Sequence, residues 1–275
     1  MTFKFSNGTD KVRFVFMHSY HKDVDKTLAD KWFMDEKAAA LAKMDGVESV
    51  RTWKALPPIS MWTFDPYDRF DRMTEVVFDN LENCRKATVE NPGFWSKTAA
   101  GAVGFNELEC VFLNMDCQYD LLKEIPVQQY KYINHPARYT AGVVVDALPF
   151  DDTFLDIYMF NYDKKFTYEE GEDWYLGHHV REGRHSKRMG HKHYKTWNLI
   201  HVDADESNPL QPNRFLRFTE LGLPEYARNP MLLAGPLDGG KKKLASLIYT
   251  QDPRGQVIGE WRNILIDPKD EEIVK

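Results

Sequence analysis

SYHKDVDKTLADKWFMDEK (residues 19–37) and NYDKKFTYEEGEDWYLGHH (161–179) decide the fold, because they are two copies of one pattern. Tyr20 falls on Tyr162, Lys22 on Lys164 and Trp32 on Trp174, each at an offset of 142. Further on, GVESVRTW (46–53) falls on GHKHYKTW (190–197), which matches Gly46 to Gly190, Thr52 to Thr196 and Trp53 to Trp197 at an offset of 144. A looser match at 140 lays VVFDNLENCRK (76–86) over LRFTELGLPEY (216–226). Self-similarity at a long, nearly fixed spacing is the mark of a duplicated structural unit.

Each copy reads alike. A β-branched and aromatic strand (KVRFVFMH, FLDIYMFNY) leads through a polar turn into a helix with its aromatic pair, Trp32-Phe33 or Trp174-Tyr175, near the start. A glycine, Gly46 or Gly190, closes the helix, and a second strand runs to Trp53 or Trp197. A third strand (MTEVVF, RFLRFT), a short helix and a fourth strand (ELECVFL, KLASLIY) follow. The order is β-α-β-β-α-β, the ferredoxin-like unit, so the fold class is α+β with two such repeats. Residues 1–125 form the first repeat, 126–150 a connector long enough for a strand of its own, and 151–275 the second repeat. QVIGEWRNILIDP near the C-terminus reads as an added strand. Segments 54–72 and 201–213 interrupt both copies between the second and third strands, a place where insertions often flank a binding site.

The net charge of −6 disfavours a protein built to coat nucleic acid, while leaving room for a local basic pocket. The longest apolar run, YTAGVVVDALPF, is short and contains Asp146, so no membrane partner is expected. Three cysteines without metal spacing and an N-terminus without an apolar core point to a reduced, cytoplasmic protein.

Strand, helix with Trp and a His one turn on, then Gly and a strand resembles the EthD-like branch of the dimeric α+β barrel superfamily. The resemblance implies that the two units close into one pseudo-dimeric barrel within a single chain, as monomer or homodimer. It also implies that the helix histidine lines a pocket between sheet and helices. The second copy supplies His178 and His179 there, whereas the first has Glu36 and Lys37, so the resemblance places the site in the C-terminal half. The superfamily spans cofactor-free monooxygenases, cyclases, isomerases, hydrolytic enzymes and haem enzymes, so fold alone bounds the chemistry loosely.

GHHVREGRHSKRMGHKH (177–193) holds five of the nine histidines, interleaved with arginine and lysine. On a helix His178, Glu182 and His185 share one face, flanked by Arg181 and Arg188, while His191, His193, Lys195 and Trp197 alternate onto one face of the next strand. If the helix covers that face, several imidazoles converge as general acids and bases. The bland alternative is a basic face shown to water. A metal reading rests on Glu182-x-x-His185 and His191-x-His193, but a di-iron site needs a second Glu-x-x-His and a single metal needs a third ligand.

GPLDGGKK (235–242) fits G-x-x-x-x-G-K, yet Lys242 stands where a phosphate loop needs Ser or Thr. No G-x-S-x-G elbow occurs, and Cys84 and Cys110 read as core residues. The expectation is therefore a cofactor-independent enzyme, using no metal, that hydrolyses or isomerises a small anionic organic substrate, with aromatic catabolism as the setting implied by the resemblance. His178 or His179 serves as base, with His185 beside them and the Tyr162 hydroxyl stabilising an oxyanion. Arg181 and Arg188 anchor a carboxylate, with His18, His193 and Trp197 lining the site. Two alternatives stay open: cofactor-free or metal-dependent oxygenation of a phenol, and a barrel that binds a ligand without turnover.

Overall fold

The structure is a computed structural model, and it describes residues 10–57, 70–121, 153–179, 193–224 and 257–275. In the first half, strands β1 (Val12–Tyr20), β2 (Val47–Lys54), β3 (Arg72–Phe78) and β4 (Phe105–Asn114) make an antiparallel sheet. Its helix layer comprises α1 (Lys26–Trp32), a π-helical continuation over Phe33–Ala38, α2 (Ala39–Leu41) and α3 (Leu81–Ala87). In the second half, β6 (Thr153–Tyr162), β7 (Tyr194–Asn198), β8 (Arg217–Pro224) and β9 (Ile258–Ile266) make the matching sheet, with α4 (Tyr168–Trp174) continuing as a π-helix over Tyr175–His179.

Two short strands trade sides. β5 (Tyr119–Asp120), which follows β4, pairs with β7 of the second sheet; β10 (Glu272–Ile273), which follows β9, pairs with β2 of the first. The sheet orders are thus β10-β2-β3-β1-β4 and β5-β7-β8-β6-β9. Two further backbone bonds join the sheets at equivalent places: the Ile200 N–H donates to Phe112 O at 2.8 Å and the Leu56 N–H to Leu265 O at 2.7 Å. Closure of this kind removes exposed sheet edges.

Alternate residues of each strand face opposite ways. Val15, Met17, Trp53, Met73, Val111 and Leu113 meet Ile157, Met159, Trp197, Phe218, Ile264 and Ile266 between the sheets. The other face of each sheet packs under its own helices, around Phe14, Phe16, Phe33 and Trp95 in the first half and Phe160, Tyr162, Trp174 and Tyr175 in the second. Two antiparallel five-stranded sheets with sparse helices are the α+β architecture expected of paired ferredoxin-like units.

Two details depart from the sequence reading. The fourth strand of the second copy is β9, inside the stretch read as an addition, since it occupies the position beside β6 that β4 occupies beside β1. KLASLIY, the 126–150 connector, Gly190 and the 235–242 glycine turn lie outside the described residues. The third-strand match at 140 is out of register. Arg72 pairs with His18 and Arg217 with Phe160, so hydrogen bonding sets the offset at 145. Both strings alternate acceptably, and only the ladder discriminates between registers.

The 201–213 insertion packs on the first half. Ile200, Val202 and Leu210 join the core under the first half's helices, and the Asn208 side chain donates to Val89 O at 2.7 Å. It clasps one half to the other. Beside it runs an open groove between Pro92–Lys97 and Ser207–Gln211, lined by none of the candidate residues. Gly46 does end its helix as read, at φ +75°, where an added Cβ would run into Asp79 and Asn83.

Candidate functional site in the C-terminal half

Because the chain holds the same unit twice, each half serves as a control for the other. What both keep is scaffold. In the first half the Tyr20 hydroxyl donates to Asp30 Oδ1 at 3.0 Å, and Arg72 donates through Nε to the same oxygen at 2.8 Å and through Nη1 to Thr52 Oγ1 at 3.3 Å. In the second half the Tyr162 hydroxyl donates to Glu172 Oε1 at 2.5 Å. Arg217 grips Glu172 with Nε at 2.7 Å and Nη2 at 2.5 Å, and reaches Thr196 Oγ1 at 3.2 Å. Tyrosine, acid, arginine and threonine thus recur as one network tying helix to sheet. The first copy's arginine also reaches Glu272 of β10 at 2.5 Å, so the chain end completes it.

Electrostatics follow from this packing. Burial would raise the Asp30 carboxyl, but bonds from Arg72, Lys54 and Tyr20 hold it at about 2. Burial pushes the Tyr162 hydroxyl well above the usual phenol range, and Glu172 adds to this against the opposing pull of Arg217. A buried phenol whose proton is committed to a carboxylate, and whose twin does the same, is a structural tie. That corrects the oxyanion role for Tyr162. Local sequence fits the geometry: Gly171 sits where an added Cβ would lie 2.2 Å from the Tyr162 ring, so only glycine lets α4 approach so closely. Thr167 and Glu170 form a capping box that starts this helix in place.

The expected convergence of imidazoles under the helix does not occur for the strand residues. Tyr194 and Thr196 of β7 face the helix, Thr196 lying 3.5 Å from the Tyr175 hydroxyl; Trp197 therefore faces the barrel interior. His193 is bound at 2.8 Å through Nε2 to Glu220, which also takes Arg13 at 2.9 Å. Arg13 lies 5.1 Å over the Trp197 ring, so both residues belong to the space between the sheets. The reason is period two: Tyr194 and Thr196 are buried on one face and Trp197 on the other with His193 and Lys195, and alternation alone does not say which face meets the helix.

His18 is fully buried on the helix side of the first half, 4.5 Å from the Phe33 ring and 5.1 Å from Phe105. Neither ring nitrogen finds a hydrogen-bond partner among the described residues. Burial and the nearby Arg72 lower its pKa to about 3, against a smaller pull from Asp30, which keeps it neutral. It is a core residue of the other half, not a neighbour of the C-terminal site.

His178 and His179 close the π-helical segment that extends α4. His185, Arg181 and Arg188 lie outside the described residues. In the first copy the aligned positions are Glu36, exposed, and Lys37, whose ammonium donates to Phe94 O at 2.8 Å and lies 4.3 Å over the Phe94 ring. Burial lowers the Lys37 pKa, opposed by Glu36.

A second asymmetry was missed in the sequence. On the helix side of the first sheet, Phe14 and Cys110 are core residues. At the matching places the second sheet has Asp156 and Asn263, both buried, with the Asn263 amide N–H donating to Asp156 Oδ1 at 3.1 Å. Asn263 Oδ1 is buried and has no donor among the described residues. Leaving such an acceptor unmet costs about 1–3 kcal/mol. Tyr158 stands opposite Asn263 in the ladder, and its ring lies 6.1 Å from Trp261. The signal is present in FLDIYMF, where an acid interrupts a strand whose first copy reads VRFVFMH.

Among the described residues no three His, Cys, Asp or Glu side chains gather as metal ligands, and no helix is long and apolar enough to cross a membrane. Burial raises the thiol pKa of both Cys84 and Cys110, as suits core residues.

No family model matches the chain, and no curated protein sequence matches it. Solved structures do. An anthrone oxidase-like protein is similar at TM-score 0.51 and 11% identity, over 97% of this chain and 94% of that one. A mutant chlorite dismutase from Candidatus Nitrospira defluvii is similar at TM-score 0.47 and 9% identity, over 96% and 94%. At such identities the likeness speaks to fold, and it agrees with the strand orders above: the chain has the dimeric α+β barrel fold.

Proposed function

We propose that this chain is an enzyme of the EthD-like kind whose active site lies between sheet and helices of the C-terminal half, where it moves a proton on a small organic substrate bearing an acidic group. The observation behind this is the asymmetry of the duplication. Tyr–acid–Arg ties, π-helical turn and barrel closure are the same in both halves, so the fold accounts for none of the differences at Asp156, Asn263, His178 and His179. His178 or His179 is the base, acting on a C–H bond or on a water that opens an ester or lactone; Arg181 and Arg188 hold the carboxylate. His185 assists as a second acid. The work is cytoplasmic aromatic catabolism, done without a cofactor.

The test uses the whole chain and a panel of aryl esters, aryl lactones and hydroxy-aromatic acids in D2O, followed by proton NMR. Hydrolysis and deuterium uptake at carbon are read together. A general base contributes about 10²- to 10⁴-fold, so the His178→Ala, His179→Ala double variant should lose at least 100-fold of whatever turnover the native chain shows. Undiminished turnover in the double variant, or no turnover across the panel, overturns the proposal.

A second reading, oxygenation of a phenol, draws on the name of the anthrone oxidase-like structure with which the chain shares its fold. Oxygen uptake with a phenolic member of the panel, with or without metal retained through purification, would favour it over proton transfer.

A further inference from the structure

We propose that Lys37 is a nucleophilic amine, and that the first half carries a covalent site for an aromatic aldehyde, separate from the site proposed in the C-terminal half. Lys37 lies in the π-helical segment Phe33–Ala38. The duplication aligns it with His179, in the matching segment Tyr175–His179, so each half places a basic residue near the end of this turn. Local π-helical turns recur at functional sites.

The surroundings of the amine are unlike those of its fellow lysines. Lys26, Lys31, Lys54 and Lys86 each pair with an aspartate or glutamate, whereas Lys37 has no carboxylate partner among the described residues. It is half-buried, with its nitrogen 4.3 Å from the centre of the Phe94 ring, 5.7 Å from Phe105 and 5.8 Å from Trp32. One neutral acceptor, Phe94 O at 2.8 Å, fixes its position. Burial disfavours the ammonium and lowers its pKa, opposed by the adjoining Glu36. An amine partly withdrawn from water and left without a counter-ion is more readily unprotonated, and the free amine is the nucleophile. The second copy lacks this ring wall at one of its places: Phe105 stands opposite Tyr20 in the first ladder, and Ile258 stands opposite Tyr162 in the second.

The chemistry is condensation. The Lys37 lone pair forms a C–N bond to the aldehyde carbon while the carbonyl π pair moves to oxygen. A proton passes from nitrogen to that oxygen, giving a carbinolamine. The C–O bond then breaks, the oxygen leaves as water with the second amine proton, and an imine remains. No electrons are exchanged with another reagent. Three rings around the amine favour an aldehyde with a flat aromatic body.

The test treats the full chain at pH 7 with limiting benzaldehyde and sodium cyanoborohydride, which reduces any imine, and peptide mass mapping reads benzylation at each lysine. Lys97, which is exposed, serves as the internal reference. In the native chain Lys37 should be labelled about tenfold faster than Lys97. With acetaldehyde, which has no ring to stack, that ratio should fall below about threefold. Phe94→Ala removes one ring and keeps the backbone carbonyl, so its benzaldehyde ratio should fall to the acetaldehyde value. Labelling of Lys37 no faster than Lys97, equal ratios for the two aldehydes, or an undiminished ratio in Phe94→Ala overturns the proposal. The native comparison of the two aldehydes decides even where the variant fails to fold.

Discussion

Glu75 and Glu220 occupy the same position in the two repeats, and both close on a single arginine. Arg13 Nη2 lies 2.5 Å from Glu75 Oε2 and 2.9 Å from Glu220 Oε1, while the residue matching Arg13 in the second copy is Leu155. Arg13 thus bridges the two halves, as Arg214 does through Glu109 at 2.6 Å.

Replacing Arg13 by Met should therefore cost about 1.5–3 kcal/mol at pH 7, because Glu75 and Glu220 lose their shared partner and are left with Arg51 and His193. Burial would raise the Glu220 carboxyl, but His193 and Arg13 hold it below its ordinary 4.5. A depressed carboxyl contributes stability above its unfolded value and loses it as pH falls through the folded one. Urea unfolding at pH 7 and pH 4 should show the gap between native and variant narrowing in acid; a gap that widens would contradict the bridge.

His18 makes the opposite kind of contribution. Its folded pKa of about 3 lies below the ordinary 6.5, so the neutral form is favoured in the fold. Stability is complete above pH 6.5 and falls by roughly 1.4 kcal/mol for each pH unit below it, until the folded value is reached. His18→Phe installs what the second copy has at Phe160 and should flatten that acid limb while leaving pH 7 stability equal or higher. Thermal melts from pH 7 to pH 4 check this, and an unchanged acid slope counts against it.

Tyr20 and Tyr162 should behave as twins. Each phenylalanine variant removes one buried hydroxyl bond to a carboxylate and should cost about 1–3 kcal/mol. Turnover should be unaffected in both once the proteins are assayed folded. A selective collapse of kcat in Tyr162→Phe, with the folded state intact, would restore a catalytic role to that phenol.

Gly171→Ala should destabilise by about 1–3 kcal/mol, since the new methyl meets the Tyr162 ring and α4 must shift outward. At the aligned place the first copy carries Ala29, fully buried. Pairing Gly171→Ala with Tyr162→Phe does not relieve the clash, because the ring remains; Tyr162→Leu should relieve part of it.

Several features were legible in the chain because they recur in it. Tyr20 and Tyr162, Trp32 and Trp174, and Trp53 and Trp197 announced a duplicated β-α-β-β-α-β unit, and the pairings bear it out. The acid one turn into each helix, Asp30 or Glu172, and the arginine opening each third strand, Arg72 or Arg217, were equally visible at matching positions and went unused. The third-strand alignment was shifted, so the two arginines did not fall together. β9 was misread as an addition since two apolar strings, KLASLIY and VIGEWRNILI, fit the fourth strand equally well by pattern.

What the sequence determined by itself was the number and order of units and the half in which they differ. Repetition is a property of the string, and the hydrophobic period of each strand and helix is written along it. What only the tertiary structure decided was direction. The central strands β1 and β3 are buried on both faces, one against helices and one against the opposite sheet, so there alternation carries no label for which face is which. Packing sent Trp197 and His193 into the barrel, away from His178 and His179, and turned Asp156 and Asn263 towards the helices. The histidine-rich stretch marks a half that differs from its copy, and the sheet of that half carries a polar pair, Asp156 and Asn263, that periodicity could not orient.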